Sequence, residues 1–192
     1  MRTLIFVSLA LCTVSILHAQ LNKGQWLVGG SAGFTATNHS VDNGSTKTTN
    51  LQLNPGVGYF VINKLAVGVR AGVIFGHELD NYGTPRNTFE TNTTGLSVTP
   101  YLRYYFLPKT NKINLLGDIS YSNINSKITS ATADAPNSTS KSNGHAFTFA
   151  AGPAFFINRH IALEITASYE LYKIDNYDQN IFMLNAGFQI HL

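Results

Sequence analysis

The sequence predicts an all-β fold, an eight-stranded antiparallel up-and-down transmembrane β-barrel, and three observations support this prediction. Only 12% of the 192 residues are charged, against about 25% in an ordinary soluble domain. Apolar and polar residues alternate with a period of two along most of the chain, as in strands that face lipid on one side. Short and long connections between these segments also alternate, which is typical of barrels that span a membrane.

The composition excludes the other classes that a low charge could indicate. Hydrophobic residues make up 44% of the chain and aromatic residues 11%, which is too many for a disordered protein. The mean hydropathy of 0.00 is too low for a bundle of membrane helices. After residue 19 no stretch of about 18 uncharged apolar residues could form even one spanning helix. The net charge of +3 is too small to indicate a nucleic-acid partner.

Residues 1–19 are predicted to be a secretory signal peptide. Arg2 supplies the positive charge, an uncharged apolar stretch follows, and Ala19 is the small residue before the expected cleavage site. Cys12 is the only cysteine and lies inside this segment. The mature chain, residues 20–192, is therefore expected to be an exported barrel domain without a disulfide or a thiolate metal site.

Each of the eight predicted strands has one apolar face and one face of small or polar residues. Most have about the 9–11 residues that a tilted strand needs to cross a bilayer. The first four are residues 24–36 with Trp26 and Phe34 on the apolar face, 51–61 with Leu53 and Tyr59, 65–75 with Val67 and Phe75, and 96–106 with Leu102 and Phe106. The last four are residues 113–121 with Ile119 and Tyr121, 147–157 with Phe149 and Phe155, 161–171 with Leu163 and Tyr169, and 182–192 with Phe182 and Phe188.

The connections between these strands alternate in length. Asn63-Lys64 and Asn158-Arg159 are tight turns, and residues 108–111 form a slightly longer one. The other four connections are rich in Asn, Ser, Thr, Asp and Gly, and are predicted to be long solvated loops. They cover residues 37–50, 77–94, 123–145 and 173–180. Both termini and the short turns then lie on one rim of the barrel, and the loops on the other.

Aromatic residues on the apolar faces cluster near both rims, with aliphatic residues between them. Such aromatic girdles form where a membrane protein meets the two water interfaces. Pro55, Pro100 and Pro153 lie inside predicted strands. Because proline cannot donate a backbone hydrogen bond, we expect a bulge or distortion at each.

The signal peptide, the eight alternating strands and the end of the chain from Phe188 to Leu192 resemble the small outer-membrane β-barrels of Gram-negative bacteria. This family includes outer-membrane protein X and the membrane domain of outer-membrane protein A, and many Bacteroidota paralogues share its style. The resemblance implies an outer-membrane location among lipid and lipopolysaccharide, and a monomer. The last strand is similar to the signal that such barrels present to the barrel-assembly machinery, although Leu192 stands where an aromatic residue is usual.

Five charged residues on the inward faces are predicted to form a lumen charge network: Arg70, Arg103, Asp118, Glu164 and Glu170. The first four lie at similar distances from the short-turn rim and should share a layer. Charges in so narrow a lumen must pair, because an unpaired buried charge is costly. Arg103 and Asp118 lie on adjacent strands and are the expected pair. The network is interpreted as a plug, with a gate as the alternative.

The pattern favours a non-enzymatic outer-membrane protein with an envelope-structural or surface-interaction role through four extracellular loops. Residues 129–142 form the longest polar run, where an extracellular ligand, a phage or a host surface would make contact. Two alternatives stay open. One is a narrow gated pore for ions or small solutes. The other is a soluble lipocalin-like carrier of a hydrophobic ligand, suggested by Gly24-Gln25-Trp26 and the strand count.

No catalytic, cofactor or metal site is predicted. His39-Ser40 is the only adjacent His-Ser pair, and it lies in a predicted loop without a carboxylate to orient the histidine. His39, His77 and His145 all fall near the loop rim, but nothing fixes the distances that a metal would require.

Overall fold

The computed structural model describes residues 21–41, 44–81, 88–132, 135–174 and 177–192, so the predicted signal peptide lies outside the described residues. Eight antiparallel strands form one closed barrel in chain order, which confirms the predicted fold class. No helix among these residues is long and apolar enough to cross a membrane. The strands are β1 Trp26–Val41, β2 Gly44–Ile62, β3 Leu65–Asn81, β4 Thr88–Tyr105, β5 Ile113–Thr132, β6 Ala135–Phe156, β7 Ile161–Ile174 and β8 Tyr177–His191.

The strands are staggered around the barrel. A row of directly paired residues that starts at Trp26 on β1 crosses every strand and reaches Phe182 on β8. The closing β1–β8 ladder pairs Leu27 with His191, and its register places Phe182 opposite residue 36. One circuit thus climbs from residue 26 to residue 36 of β1, which is ten residues. A stagger of this size goes with the tilt of roughly 40° that is usual in membrane barrels.

Large apolar side chains face outward along every strand. Phe34 and Phe182 near the loop rim are 65% and 68% exposed, and aliphatic side chains are exposed between the rims. At the short-turn rim the rings of Trp26 and Tyr59 contact each other edge to face at 5.2 Å. The barrel therefore presents an apolar band bounded by aromatic residues to its surroundings.

The prediction of four long loops at residues 37–50, 77–94, 123–145 and 173–180 is wrong over most of their length. Paired strands continue through the described residues of each segment. Serine, asparagine and threonine are common in loops, but threonine is β-branched and also favours strands. A hairpin that is already formed adds further pairs without closing a new loop. The last described pairs are Val41–Gly44, Asn81–Thr88, Thr132–Ala135 and Ile174–Tyr177.

Pro55, Pro100 and Pro153 each interrupt one ladder. On the β5 side of β4, pairing stops at Val98 and resumes at Tyr101 in the same register. The prolines of β2 and β6 interrupt the ladders to β3 and β7 in the same way. The cause is the missing backbone N–H. The distortion at each proline is therefore a gap of two residues in the pairing with one neighbouring strand. The register shifts lie at other positions, between Phe60 and Ile62 in the β2–β3 ladder and between Ser130 and Thr132 in the β5–β6 ladder.

Candidate functional site

The lumen is filled at the short-turn rim by packed apolar side chains, which we call the apolar plug. Phe60, Tyr105 and Phe156 project inward, with ring centroids 6.1 and 6.4 Å from one to the next. Leu21 precedes β1 and is fully buried among them. Its carbonyl accepts a hydrogen bond of 2.9 Å from the Lys64 amide in the β2–β3 turn. The apolar plug comprises Leu21, Leu27, Phe60, Ala66, Tyr105, Leu116, Ala154, Phe156 and Ala162.

Directly above the apolar plug, four charged side chains bind one another across the lumen. The Arg103 guanidinium lies 3.0 Å from Asp118 Oδ2 through Nε and 2.7 Å from Glu164 Oε2 through Nη1. Arg70 Nη1 donates to Asp118 Oδ1 at 3.2 Å, and its Nη2 contacts the same carboxylate. Tyr105 donates its hydroxyl proton to Glu164 Oε1 at 3.0 Å. Two cations and two anions therefore form a neutral network in the layer where the sequence places them.

The strand register explains why these side chains meet. Arg103 on β4 pairs directly with Asp118 on β5, so both project from the same level of the wall. Glu164 extends from β7 across the lumen, and its side chain is only 3% exposed. The distance between β4 and β7 is bridged by the long arginine side chain. The network thus connects opposite walls of the barrel at one level.

Tyr101 is a member of this layer that the sequence did not identify. Its ring lies under the Arg70 guanidinium, 3.9 Å from Cζ to the ring centroid, in a cation–π contact. The ring fits against the wall because Gly58 and Gly68 carry no side chain. A Cβ atom would lie 2.3 Å from the tyrosine hydroxyl at the first glycine and 2.6 Å from Cζ at the second. The available signal was its position two residues before Arg103, on the same face of β4.

Glu170 lies apart from the other four charged residues. It is farther up β7 and accepts a hydrogen bond of 3.2 Å from the Thr148 hydroxyl. From the four paired charges up to Glu170 the lumen holds a polar cavity of about 80 Å³, whose lining also includes Ser31, Asn54 and Ser122. The cavity has room for a few water molecules, and its walls offer them polar partners. Along the barrel axis the interior therefore changes from apolar side chains to paired charges and then to a polar cavity.

The three histidines considered for a metal site lie on different strands. His77 contacts Asn92 at 3.0 Å, and the ring of His145 stacks on Tyr121 at 6.4 Å. His39 lies on β1, paired with a threonine of β2. In the described ranges no three His, Cys, Asp or Glu side chains come together as metal ligands would.

A closed barrel with an apolar outer band, aromatic rims and a self-paired interior defines an integral β-barrel protein of the outer membrane. The chain belongs to the family described as outer membrane protein beta-barrel domain, whose sequence model matches residues 4–189. The protein is thus located in the outer membrane, among its lipids. The alternative of a soluble lipocalin-like carrier is wrong, because large apolar side chains cover the outside of the barrel instead of lining a ligand cavity.

Two solved structures have the same fold. Neisserial surface protein A (NspA) is 18% identical with a TM-score of 0.54, and the match covers 88% of this chain and 97% of that one. Outer membrane protein OprG from Pseudomonas aeruginosa is 13% identical with a TM-score of 0.56, over 92% and 100% of the two chains. No curated protein sequence matches the chain. These likenesses establish the fold alone.

Proposed function

We propose that this protein is a non-enzymatic outer-membrane barrel that supports the cell envelope and makes surface contacts through its extracellular hairpins. One observation carries the proposal: the apolar plug closes the lumen at the short-turn rim, whereas at the opposite rim the strands continue beyond the apolar band. A closed lumen favours a structural body over a transport path. The extended strands offer the only large surface on the outside of the cell that the described residues form.

The closed lumen makes conductance the first test. Purified protein in planar bilayers is expected to show no stepwise conductance, because the apolar plug and the ion-paired side chains of Arg70, Arg103, Asp118 and Glu164 both block the axis. An Arg103→Ala variant is expected to stay silent as well, since Phe60, Tyr105 and Phe156 still close the short-turn rim. Conductance steps that appear or grow in the variant would support the alternative, a narrow gated pore for ions or small solutes.

The extracellular strands have an uneven outline that supports a role in surface contact. The β7–β8 hairpin is the shortest, with strands of 14 and 15 residues, while its neighbour β6 has 22. The β6–β7 ladder ends at Gly144–Ile174. Among the described residues, 135–143 of β6 therefore have no strand partner on the β7 side. An unpaired strand edge presents backbone donors and acceptors to an extended segment of another protein.

The β5–β6 hairpin gives the second test. We expect a barrel in which an Asn-Gly turn replaces residues 129–139 to restore detergent resistance to a deletion strain but not adhesion to host cells or neighbouring bacteria. The turn joins Ile128 to Ser140, which already pair, and so keeps the register. The measurements are survival in bile salts and counts of adherent cells after washing.

A matched control shortens the β3–β4 hairpin by replacing residues 81–88 with the same turn, since both of its strands have paired neighbours. This control is expected to keep adhesion. Equal adhesion by the unmodified barrel and by both shortened barrels would contradict a role of residues 135–143 of β6 in adhesion. Full detergent resistance without the protein would contradict the envelope role.

Assembly and oligomeric state belong to the same proposal. Phe188, Ile190 and Leu192 alternate on the outer face at the end of the chain, a pattern similar to the signal that such barrels present to the barrel-assembly machinery. The Leu192 backbone exchanges two hydrogen bonds of 2.8 Å with Trp26, so the same residues close the barrel. A barrel that pairs its own first and last strands is expected to work as a monomer.

A further inference from the structure

Two lysines face each other on the outer surface above the loop-side aromatic residues. Lys127 on β5 pairs directly with Lys141 on β6, and both side chains are exposed. Each lysine is an even number of residues from an outward-facing aromatic residue on its own strand, Tyr121 on β5 and Phe147 on β6. The lysines therefore also project outward, away from the lumen. Like charges directly opposite on a sheet repel each other. Neither lysine forms an ion pair within the described part of the chain, so the pair is suited to an external anion.

An apolar groove lies directly below these lysines on the same outer face. It has a volume of about 380 Å³ and is lined by Tyr121, Phe147 and Leu171, with His145 and Lys173 along its upper edge. The register arranges these residues in two outward rows. The lower row is Tyr121, Phe147, Leu171 and Asn180, and the upper row is Asn123, His145, Lys173 and Asp178. Going outward, the surface therefore changes from apolar to mixed to basic.

We propose that this face binds a phosphorylated glycolipid of the outer leaflet. Its acyl chains would pack in the groove, its headgroup would extend outward past the upper row, and a phosphate at the far end of the headgroup would contact both Lys127 and Lys141. The groove continues the apolar band that faces lipid, so the occupant comes from the membrane.

The spacing of the basic residues selects the headgroup. The upper row of the groove and the lysine pair are four residues apart along β5, from Asn123 to Lys127, or roughly 13 Å at the rise of a strand. Lys173, in the upper row of the groove, is already 3.5 Å from Asp178. A glycerophospholipid carries its one phosphate close to its acyl chains. When the acyl chains fill the groove, this phosphate lies too low to contact Lys127 and Lys141. A disaccharide headgroup with phosphates at its ends spans this distance.

The test measures lipid binding by native mass spectrometry of the detergent-solubilised barrel. The probes are diphosphoryl lipid A, phosphatidylglycerol and phosphatidylethanolamine. We expect the unmodified barrel to prefer diphosphoryl lipid A. The Lys127→Gln/Lys141→Gln variant should bind it about thirtyfold more weakly, because each lysine near an anionic lipid surface contributes about a fivefold gain in affinity.

A matched control removes two exposed lysines elsewhere, as Lys47→Gln/Lys112→Gln, and is expected to bind within about twofold of the unmodified barrel. Both variants should keep the heat-modifiable gel migration of a folded barrel, so a loss of binding cannot reflect unfolding. Equal weakening in the two variants would overturn the site. Binding of phosphatidylglycerol as tight as that of lipid A would overturn the assignment of the headgroup.

Discussion

The Arg103→Ala variant is expected to lose about 3–5 kcal/mol of unfolding free energy, the range typical of breaking a buried ion pair from one side. Arg103 is the cation that neutralises Glu164, at 2.7 Å, and it also contacts Asp118. Asp118 keeps Arg70 as a partner in the variant. Among the described residues, Glu164 then keeps the hydroxyl of Tyr105 as its one hydrogen-bond partner. An almost fully buried carboxylate without its cation is the source of the expected loss.

Urea unfolding in detergent micelles measures this effect, followed by the fluorescence of Trp26, the only tryptophan. The matched variant is Arg103→Met with Glu164→Gln, which removes both charges and keeps much of the volume. It is expected to recover most of the lost stability, because replacing a complete buried ion pair is often close to neutral. If the double variant is as unstable as Arg103→Ala, packing rather than charge dominates this layer. A loss below about 1 kcal/mol for Arg103→Ala would mean that water reaches Glu164.

The fold was predictable because it depends on a local rule. In a strand, successive residues point alternately to the two faces of the sheet, here to lipid and to the lumen. Alternation therefore assigned Leu163 and Glu164 to opposite faces without knowledge of the barrel. Pairing between consecutive strands follows from short connections. The layer of Arg70, Arg103, Asp118 and Glu164 came from the same rule, by counting residues from the short-turn rim.

The extracellular part was not predictable in the same way. Polar threonine- and serine-rich segments fit both a loop and a strand with water on both faces, so composition could not show that β5 continues to Thr132. The free edge of β6 depends on the difference in length between neighbouring hairpins. The height of a residue along the barrel axis also depends on the ten-residue stagger, which relates strands far apart in sequence. For this reason the sequence alone did not predict that Leu21 is buried in the apolar plug or that it contacts Lys64.

The Gly29→Ala variant is expected to impair barrel closure. Gly29 lies in the β1–β8 ladder, which extends only from Leu27–His191 to Gly33–Asn185. A Cβ atom at this position would lie 2.1 Å from the Phe188 carbonyl oxygen and 2.9 Å from Gln189 Cα. Both are backbone atoms, so the contact cannot be relieved by rotating a side chain. The strands must separate, and an overpacked site typically costs about 1–3 kcal/mol.

This cost falls on the ladder with the fewest pairs, and that ladder alone joins the two ends of the chain. We therefore expect a clear decrease in the fraction of unboiled protein that migrates as the compact form on a gel, and a lower melting temperature. The matched control is Gly95→Ala on β4, where the nearest atoms to an added Cβ are side-chain atoms of Ser126 and Ile74 at 3.3 and 3.4 Å. It should fold almost as well as the unmodified barrel. Equal folding of the two variants would mean that the closing ladder can widen without losing its hydrogen bonds, and that closure does not limit the stability of this barrel.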